Sequence, residues 1–430
     1  MISIDLIRND PDQVRQGLAA RGEDDPLDQI LELDIKRRSA VTERDDLRGE
    51  RNRVSGEIGK ARKLGQDPAP EIVQEMRQVG DRISALEQQE RVLQEQINEI
   101  LLGLPNLPLP RVPKGDGEED NIVARSWGEI PTLDFTPVPH WDLGENLGLI
   151  DFQRGVKVAG SRFFTMTGMG AKLNRALISW MLDLHSSEHG YTEVTLPLMV
   201  KKESMLGSGN LPKFADNLYH DDEDDLWLIP TAEVPITNLH RDEILSASQL
   251  PLKYVAHTPC FRREKAAAGR DTRGIKRVHQ FDKVEMYQLV TPETSEDELE
   301  KLLDNAEDVC RRLELPYRVL QLCTGDLGFA SAMTYDIEVW AAGCEEWLEV
   351  SSCSNCTDFQ ARRTSLRYRP DDSQNQGSRP QLVHTLNGSG LALPRVIIAI
   401  LENYQQKDGS VVIPEALRAY MDGLEVIEPG

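Results

Sequence analysis

Thr258-Pro-Cys-Phe-Arg-Arg-Glu-Lys265 opens a run that continues to His279 and Phe281, and Cys260–His279 holds seven basic residues against two acidic ones. Arg262 and Glu264 stand two residues apart at the exit of a β-rich stretch. Side chains alternate along a strand, so this spacing predicts both on one face. An arginine fork there can clamp a phosphate, and a carboxylate beside it can accept an exocyclic amine. Taken alone, the run would better suit an ordinary solvated charged hairpin. A second stretch, Gly388-Ser-Gly-Leu-Ala-Leu-Pro-Arg395, leads into apolar Val396–Leu401. Arg395 at a helix start, with Phe281 at the end of the basic run, can sandwich an adenine ring. No Gly-x-x-x-x-Gly-Lys-[Ser/Thr] is present, and Gly168-Met-Gly170 is too short for a dinucleotide fingerprint and suits a turn. Cys353-Ser-Asn-Cys356 has metal spacing but no second CxxC or histidine pair, so structural cysteines are expected.

These residues need a scaffold, and 430 residues with 39% hydrophobic content suit two or three domains. The first hundred residues differ from the rest. Ile30, Leu33, Arg37, Ala40, Arg44, Leu47, Arg51, Val54, Ile58 and Ala61 alternate at spacings of three and four, as do Ile72, Met76, Val79, Ile83, Leu86, Glu90, Leu93, Ile97 and Ile100. Gly65-Gln-Asp-Pro-Ala-Pro70 interrupts the two seams, which predicts an antiparallel helical hairpin rather than one long dimerising coil. Its turn pairs Leu47 with Ile83, Val54 with Met76 and Ile58 with Ile72. Residues 35–64 carry ten basic and five acidic residues, and residues 65–102 carry three basic and eight acidic. Attraction between the helices accounts for part of that split. A basic tip could instead reach a phosphate backbone. Residues 1–103 are therefore expected to form a helical domain with an arm over 27–102, and residues 104–120, rich in Pro and Gly, a semi-rigid linker. From 121 to 430, strand-like runs at 253–260, 284–289, 317–322 and 336–340 lack regular βαβ joins, which predicts an α+β domain on a largely antiparallel sheet.

The net charge of −23 argues against an anionic partner when taken whole. Local sums qualify it: residues 35–64 and 260–279 are each +5, and 359–369 (Arg362, Arg363, Arg367, Arg369) is +4. There is no leader pattern, no apolar run long enough for a membrane span and no secreted disulfide framework in six cysteines, so a cytoplasmic protein is expected.

The helix and β-rich run through Pro197, the Phe-Arg-x-Glu run and the Gly-x-Gly…Arg395 segment resemble motifs 1, 2 and 3 of class II aminoacyl-tRNA synthetases, in order. The hairpin, Thr231-Ala-Glu233, Glu349-Val-Ser-Ser352 and Leu386-Asn-Gly-Ser-Gly390 narrow the resemblance to seryl-tRNA synthetases of the bacterial type. That resemblance implies formation of seryl-adenylate from serine and ATP, then transfer to the 3′-terminal ribose of tRNA(Ser), with tRNA(Sec) an open second acceptor. It assigns catalysis to Arg262 and Arg395, and the ATP site to Arg262, Arg263, Glu264, Val278, Phe281, Glu349, Val350, Ser351, Ser352 and Arg395. Glu349 and Ser352 would hold Mg²⁺ with ATP. Zinc is not expected, Cys353 and Cys356 being the one feature in its favour. Thr231, Ala232 and Glu233 would take the serine ammonium, and Glu285, Asn387 and Ser389 its hydroxyl. Such a site rejects alanine by unpaired polar groups; threonine, excluded mainly by its methyl, is harder. The arm would bind tRNA through Arg48, Arg53, Lys60, Arg62 and Lys63, with Arg51 either a contact or a seam residue. Residues 171–197 would form a homodimer interface. The competing functions are a paralogue that adenylates an amino acid without charging tRNA, and a non-catalytic coiled-coil scaffold.

Overall fold

The computed structural model describes residues 1–65, 67–265, 273–371 and 379–429. Residues 266–272, the middle of the basic run, lie outside the described residues. The chain divides into two compact units, one of Ile2–Ala19 with Glu23–Leu104, the other of Met1, Ala20–Gly22 and Pro105–Gly430.

In the first unit, α1 (Leu27–Lys63) and α2 (Pro70–Gly103) make the expected hairpin. At 1.5 Å per residue α1 is about 55 Å long. Pro70 opens α2, where its missing N–H costs nothing. Arg44 pairs with Glu90, Arg48 with Glu87 at 2.7 Å and Arg82 with Glu43 at 2.7 Å. Positions that rise along α1 therefore fall along α2, in the register the turn dictates. These bonds also spend part of the segregated charge across the hairpin. α2 buries Ile83, Leu86, Leu93 and Ile97, whereas Arg51 is exposed and is no seam residue. Near the base of α1, Arg8 forks onto buried Asp34 through two 2.7 Å bonds.

The second unit is built on an eight-stranded sheet. Its strands are β1 (Ile122–Trp127), β2 (Thr192–Glu193), β3 (Leu252–Phe261), β4 (Gln280–Val290), β5 (Tyr317–Gln321), β6 (Met333–Ala341), β7 (Glu346–Asn355) and β8 (His384–Ala392). Their order is β1-β5-β6-β7-β8-β4-β3-β2, antiparallel throughout except for β2 beside β3. Three helices, α3 (Met169–Ser187), α4 (Ser295–Arg312) and α5 (Leu393–Asn403), share one apolar core with the sheet. Val284 and Met286 of β4 belong to that core; Lys283, alternating with them, lines a cavity instead, with buried Glu285 ion-paired to it.

The same alternation explains Asn387-Gly-Ser-Gly390. The segment lies within β8 and is not a turn. A Cβ at Gly388 would come within 2.5 Å of Leu302 on α4, and one at Gly390 within 2.5 Å of His185 on α3. The glycines admit the helices on one side while Asn387 and Ser389 face the cavity on the other.

Residues 105–113 are pinned rather than free. The Asn106 side-chain amide donates to the carbonyls of Ala330 at 3.0 Å and Cys356 at 2.8 Å, and the Asn106 and Leu109 N–H groups bond Phe329 and Ala332. Prolines remove some donors there, and the Leu107 and Val112 N–H groups are paired locally, with Asn106 Oδ1 and Leu109 O. Among the described residues, no helix is long and apolar enough to cross a membrane.

Candidate active site

Strands β4, β7 and β8, the chain just after β3 and the start of α5 border a cavity of about 270 Å³. It brings together Thr231, Glu233, Arg262, Glu264, Val278, Phe281, Glu349, Ser352, Asn387, Ser389 and Arg395, all anticipated above. Lys276, Arg277, Lys283, Ala392 and Pro394 also line it. Lys283 was missed, although strand period two from Phe281 to Glu285 passes through it.

One end is closed and polar. Glu285 is fully buried, opposite Ser389 in the β4–β8 register and ion-paired to Lys283, so it is no surface carboxylate. The Asn387 amide approaches Glu285 at 3.5 Å. Glu233 accepts 2.6 Å from Gln360, whose own carbonyl accepts the hydroxyls of Tyr287 and Thr385. Burial, then the nearby Glu285 charge, push the Glu233 carboxyl up to about 7. Lys283 pairs with Glu285 but not with Glu233, and a ligand ammonium would supply Glu233 with a cation of its own.

The other end is flat-walled and cationic. The Arg262 guanidinium lies over Phe281, 5.1 Å from the ring centroid, and its Nε donates to Pro230 O at 3.3 Å. Arg262 and Glu264 both reach the cavity, but not by strand alternation: β3 ends at Phe261 and Glu264 has φ +48°. A left-handed residue turns the chain so that its carboxylate points inward. Arg395, third in α5, donates to Glu349 O at 2.6 Å and approaches its carboxylate at 3.3 Å.

Glu349 and Ser352 stand three apart in a strand, which by alternation alone would set them on opposite faces. A bulge corrects this. Glu338 pairs with Glu349 and Ile337 with Ser351, leaving Val350 unmatched. The extra residue returns Ser352 to the face of Glu349. Both then border a second space of about 460 Å³ with Asp326, Asp336 and Glu338.

Ala232, Arg263, Val350 and Ser351 do not line the cavity. Ala232 and Val350 are buried in apolar packing. Arg263 stacks on Tyr219 at 4.7 Å and donates to Leu218 O. The Ser351 hydroxyl donates to Ser389 O at 2.6 Å, which ties β7 to β8 beneath the site. Cys353 and Cys356 are buried thiols, Cys353 pushed up to about 12 by burial; Cys353 Sγ meets the Ser351 hydroxyl and Cys356 Sγ the Asn387 carbonyl.

A clamp that no motif signalled fixes the chain from Ile275 to Val278. The Ile275 N–H donates to His140 Nε2 at 3.2 Å, so Nδ1 carries the ring proton and donates to Glu402 at 2.7 Å. The same carboxylate accepts the N–H groups of His140 and Cys344. Glu402 lies in the last turn of α5 and Arg395, near its start, donates to Lys276 O at 3.4 Å. Both ends of one helix thus grip the strip that closes the flat-walled end. Gly274 has φ +75°, and a Cβ there would stand 2.0 Å from His140 Nε2. Gly274→Ala should therefore raise the KM for a base-bearing ligand about tenfold and leave the polar end unaffected, as steady-state kinetics in each substrate would measure.

On the arm, Arg48 is bonded to Glu87 and Arg53 to Glu57, whereas Lys60, Arg62 and Lys63 are exposed without an ion pair among the described residues.

Residues 1–108 match the seryl-tRNA synthetase N-terminal domain, and residues 214–404 the tRNA synthetase class II core domain (G, H, P, S and T). A serine–tRNA ligase of Roseiflexus sp. is 60% identical across 99% of both chains, and one of Herpetosiphon aurantiacus is 56% identical across 99% of this chain and 100% of its own. A crystal structure of seryl-tRNA synthetase from Pyrococcus horikoshii complexed with ATP superposes over 100% of both chains, with TM-score 0.92 and 42% identity. A cytoplasmic serine–tRNA ligase from Naegleria fowleri in complex with AMP does so over 97% of this chain and 96% of its own, with TM-score 0.85 and 31% identity.

Proposed function

The chain belongs to the seryl-tRNA synthetase family of class II aminoacyl-tRNA synthetases and is an ATP-dependent serine–tRNA ligase, and from that premise we propose how its residues divide the work. The observation that carries the assignment is the single cavity joining a flat-walled cationic end to a closed acidic one.

Serine lies in the closed end. Its ammonium is held by Glu233 and the Thr231 hydroxyl, its side-chain hydroxyl by Glu285 and Ser389 with Asn387 beside them. Adenine lies between Phe281 and Arg395, with Glu264 accepting from its amine and the Val278 backbone closing the pocket. Arg262, between the two ends, bridges the serine carboxylate and the α-phosphate. A carboxylate oxygen then attacks phosphorus, and pyrophosphate leaves with the electron pair of the broken P–O bond. No dedicated base is needed, because the nucleophile is already an anion; the work is positioning and charge neutralisation.

Mg²⁺ enters with ATP. Glu349 and Ser352 are hard oxygen donors on one face, and Asp336 Oδ1, paired with Ser352 across β6 and β7, is buried without a hydrogen-bond partner among the described residues. Such a donor set fits a small hard cation. When bound, the ion neutralises charge on the polyphosphate.

On the arm, Arg51, Lys60, Arg62 and Lys63 offer charges to the tRNA backbone, with Arg48 and Arg53 contributing when released from their carboxylates. α3 spends its apolar face on its own core, so a homodimer through 171–197 would use outward residues such as Arg175 and Thr192. We infer a cytoplasmic location, where translation draws on charged tRNA(Ser).

Serine-dependent ATP–pyrophosphate exchange, followed by charging of total tRNA, tests this division. Exchange without charging would favour the adenylating paralogue. The pH dependence is specific to Glu233. Its raised pKa leaves the empty site partly protonated at neutral pH, and the serine ammonium favours the charged form. The KM for serine should therefore fall as pH rises through about 7, with the KM for ATP unchanged. The contribution to folding stability has the opposite sense: present below the ordinary value of 4.5, it is lost as pH rises through about 7.

A further inference from the structure

The cavity has a third branch. Past Glu233, Asn387 and Ser352 it continues into a space of about 210 Å³ whose far wall carries Phe214 and Phe329. Phe214 is 41% exposed and meets Phe329 edge-on at 5.9 Å; Phe329 meets fully buried Phe359 edge-on at 5.7 Å. Behind them the Arg363 guanidinium lies over both Phe329, at 5.5 Å, and Phe359, at 4.6 Å, and donates to the carbonyls of Leu206 and Leu211. An aromatic wall is thus braced from the interior while its front ring faces open space. Arg363 belongs to the basic stretch at 359–369, and this bracing is a use for it inside the fold.

Activation of serine uses two branches. Adenine fills the one closed by Phe281 and Arg395, and the polyphosphate with its Mg²⁺ lies toward the one bordered by Glu349, Ser352 and Asp336. The third opens at the serine end and has no occupant in that step. The second step brings one: a ribose hydroxyl must reach the serine carbonyl carbon. We propose that this branch receives the 3′-terminal nucleoside of tRNA, its base stacked on Phe214 and its ribose directed past Asn387 toward the seryl-adenylate. The inference rests on the serylation reading above. In the transfer, the hydroxyl oxygen bonds to the carbonyl carbon and the bond from that carbon to the phosphate oxygen breaks. AMP leaves with the electron pair, and its phosphate takes the hydroxyl proton. Stacking on an exposed ring is sequence-tolerant and is lost with the ring.

The test uses the full chain with Phe214→Leu, which keeps apolar bulk without a π face, and Phe214→Tyr, which keeps the ring. Three rates are measured: serine-dependent ATP–pyrophosphate exchange, single-turnover transfer to intact tRNA(Ser), and transfer to the same tRNA ending in an abasic ribose. Exchange should stay within about twofold of wild type in both variants. Transfer to intact tRNA should fall about tenfold to a hundredfold in F214L and be restored in F214Y, while F214L and wild type should be equal on the abasic acceptor. Three results would overturn the proposal: unimpaired transfer in F214L, an equal penalty on intact and abasic acceptors, or exchange and transfer falling together in both variants. Absence of serine-dependent exchange in the wild type would instead sink the serylation reading.

Discussion

Arg262→Gln should lower serine-dependent ATP–pyrophosphate exchange by about a hundredfold to a thousandfold, chiefly in kcat. The guanidinium is a cation positioned between the polar and flat-walled ends, where the proposed placement of serine and ATP would bring both reacting groups to it. Its present partners are weak ones, a ring face at 5.1 Å and one carbonyl at 3.3 Å, so it is free to turn toward two oxyanions. Glutamine keeps the stem and a donor but loses the charge and the fork. If a substrate-bridging role is correct, Phe281 stacking survives and the KM for ATP changes far less than kcat. An equal rise in both KM values at unchanged kcat would assign Arg262 to simple ground-state binding.

Removal of residues 35–97, with the helix stumps joined by a short glycine linker, should leave that exchange within a few-fold of wild type and abolish charging of tRNA. The arm and the sheet-based unit have separate apolar cores, and every cavity-lining residue belongs to the latter. Exposed Lys60, Arg62 and Lys63 cluster at the end of α1, where intramolecular carboxylates are few. Charging by the intact enzyme should accordingly weaken steeply with salt while exchange does not. Loss of exchange along with charging would mean that the arm supports the catalytic unit itself.

The cavity was legible in outline because its chemistry is concentrated in a few short runs. Arg262, Glu264, Phe281, Arg395 and the alternating polar residues of β8 announce themselves by type and spacing. What escaped the sequence needs two or more distant segments to meet. Gln360 carries no signal until it bonds Glu233, and His140 means nothing without Glu402 and Ile275. Backbone irregularities were equally hidden. The left-handed Glu264 reached the same place that strand alternation predicted by a different route, and the Val350 bulge rescued a spacing that alternation would have ruled out. At 105–113 the proline content indicated a semi-rigid linker, but the hydrogen bonds by which Asn106 and Leu109 hold it to Phe329, Ala330, Ala332 and Cys356 could not be read from composition.

The glycines of β8 bear on the hardest discrimination this enzyme faces. Because Leu302 and His185 already touch the back of the strand at Gly388 and Gly390, the wall behind Ser389 has nowhere to retreat. A soft wall would yield a few tenths of an ångström to threonine's extra methyl and dissipate the clash. A stiff one turns the same methyl into a full steric penalty, toward the upper end of the ~1–3 kcal/mol that one methylene commands in a pocket. Selectivity against the larger amino acid is in this sense a mechanical property of the backing layer, set by two residues that never meet the substrate.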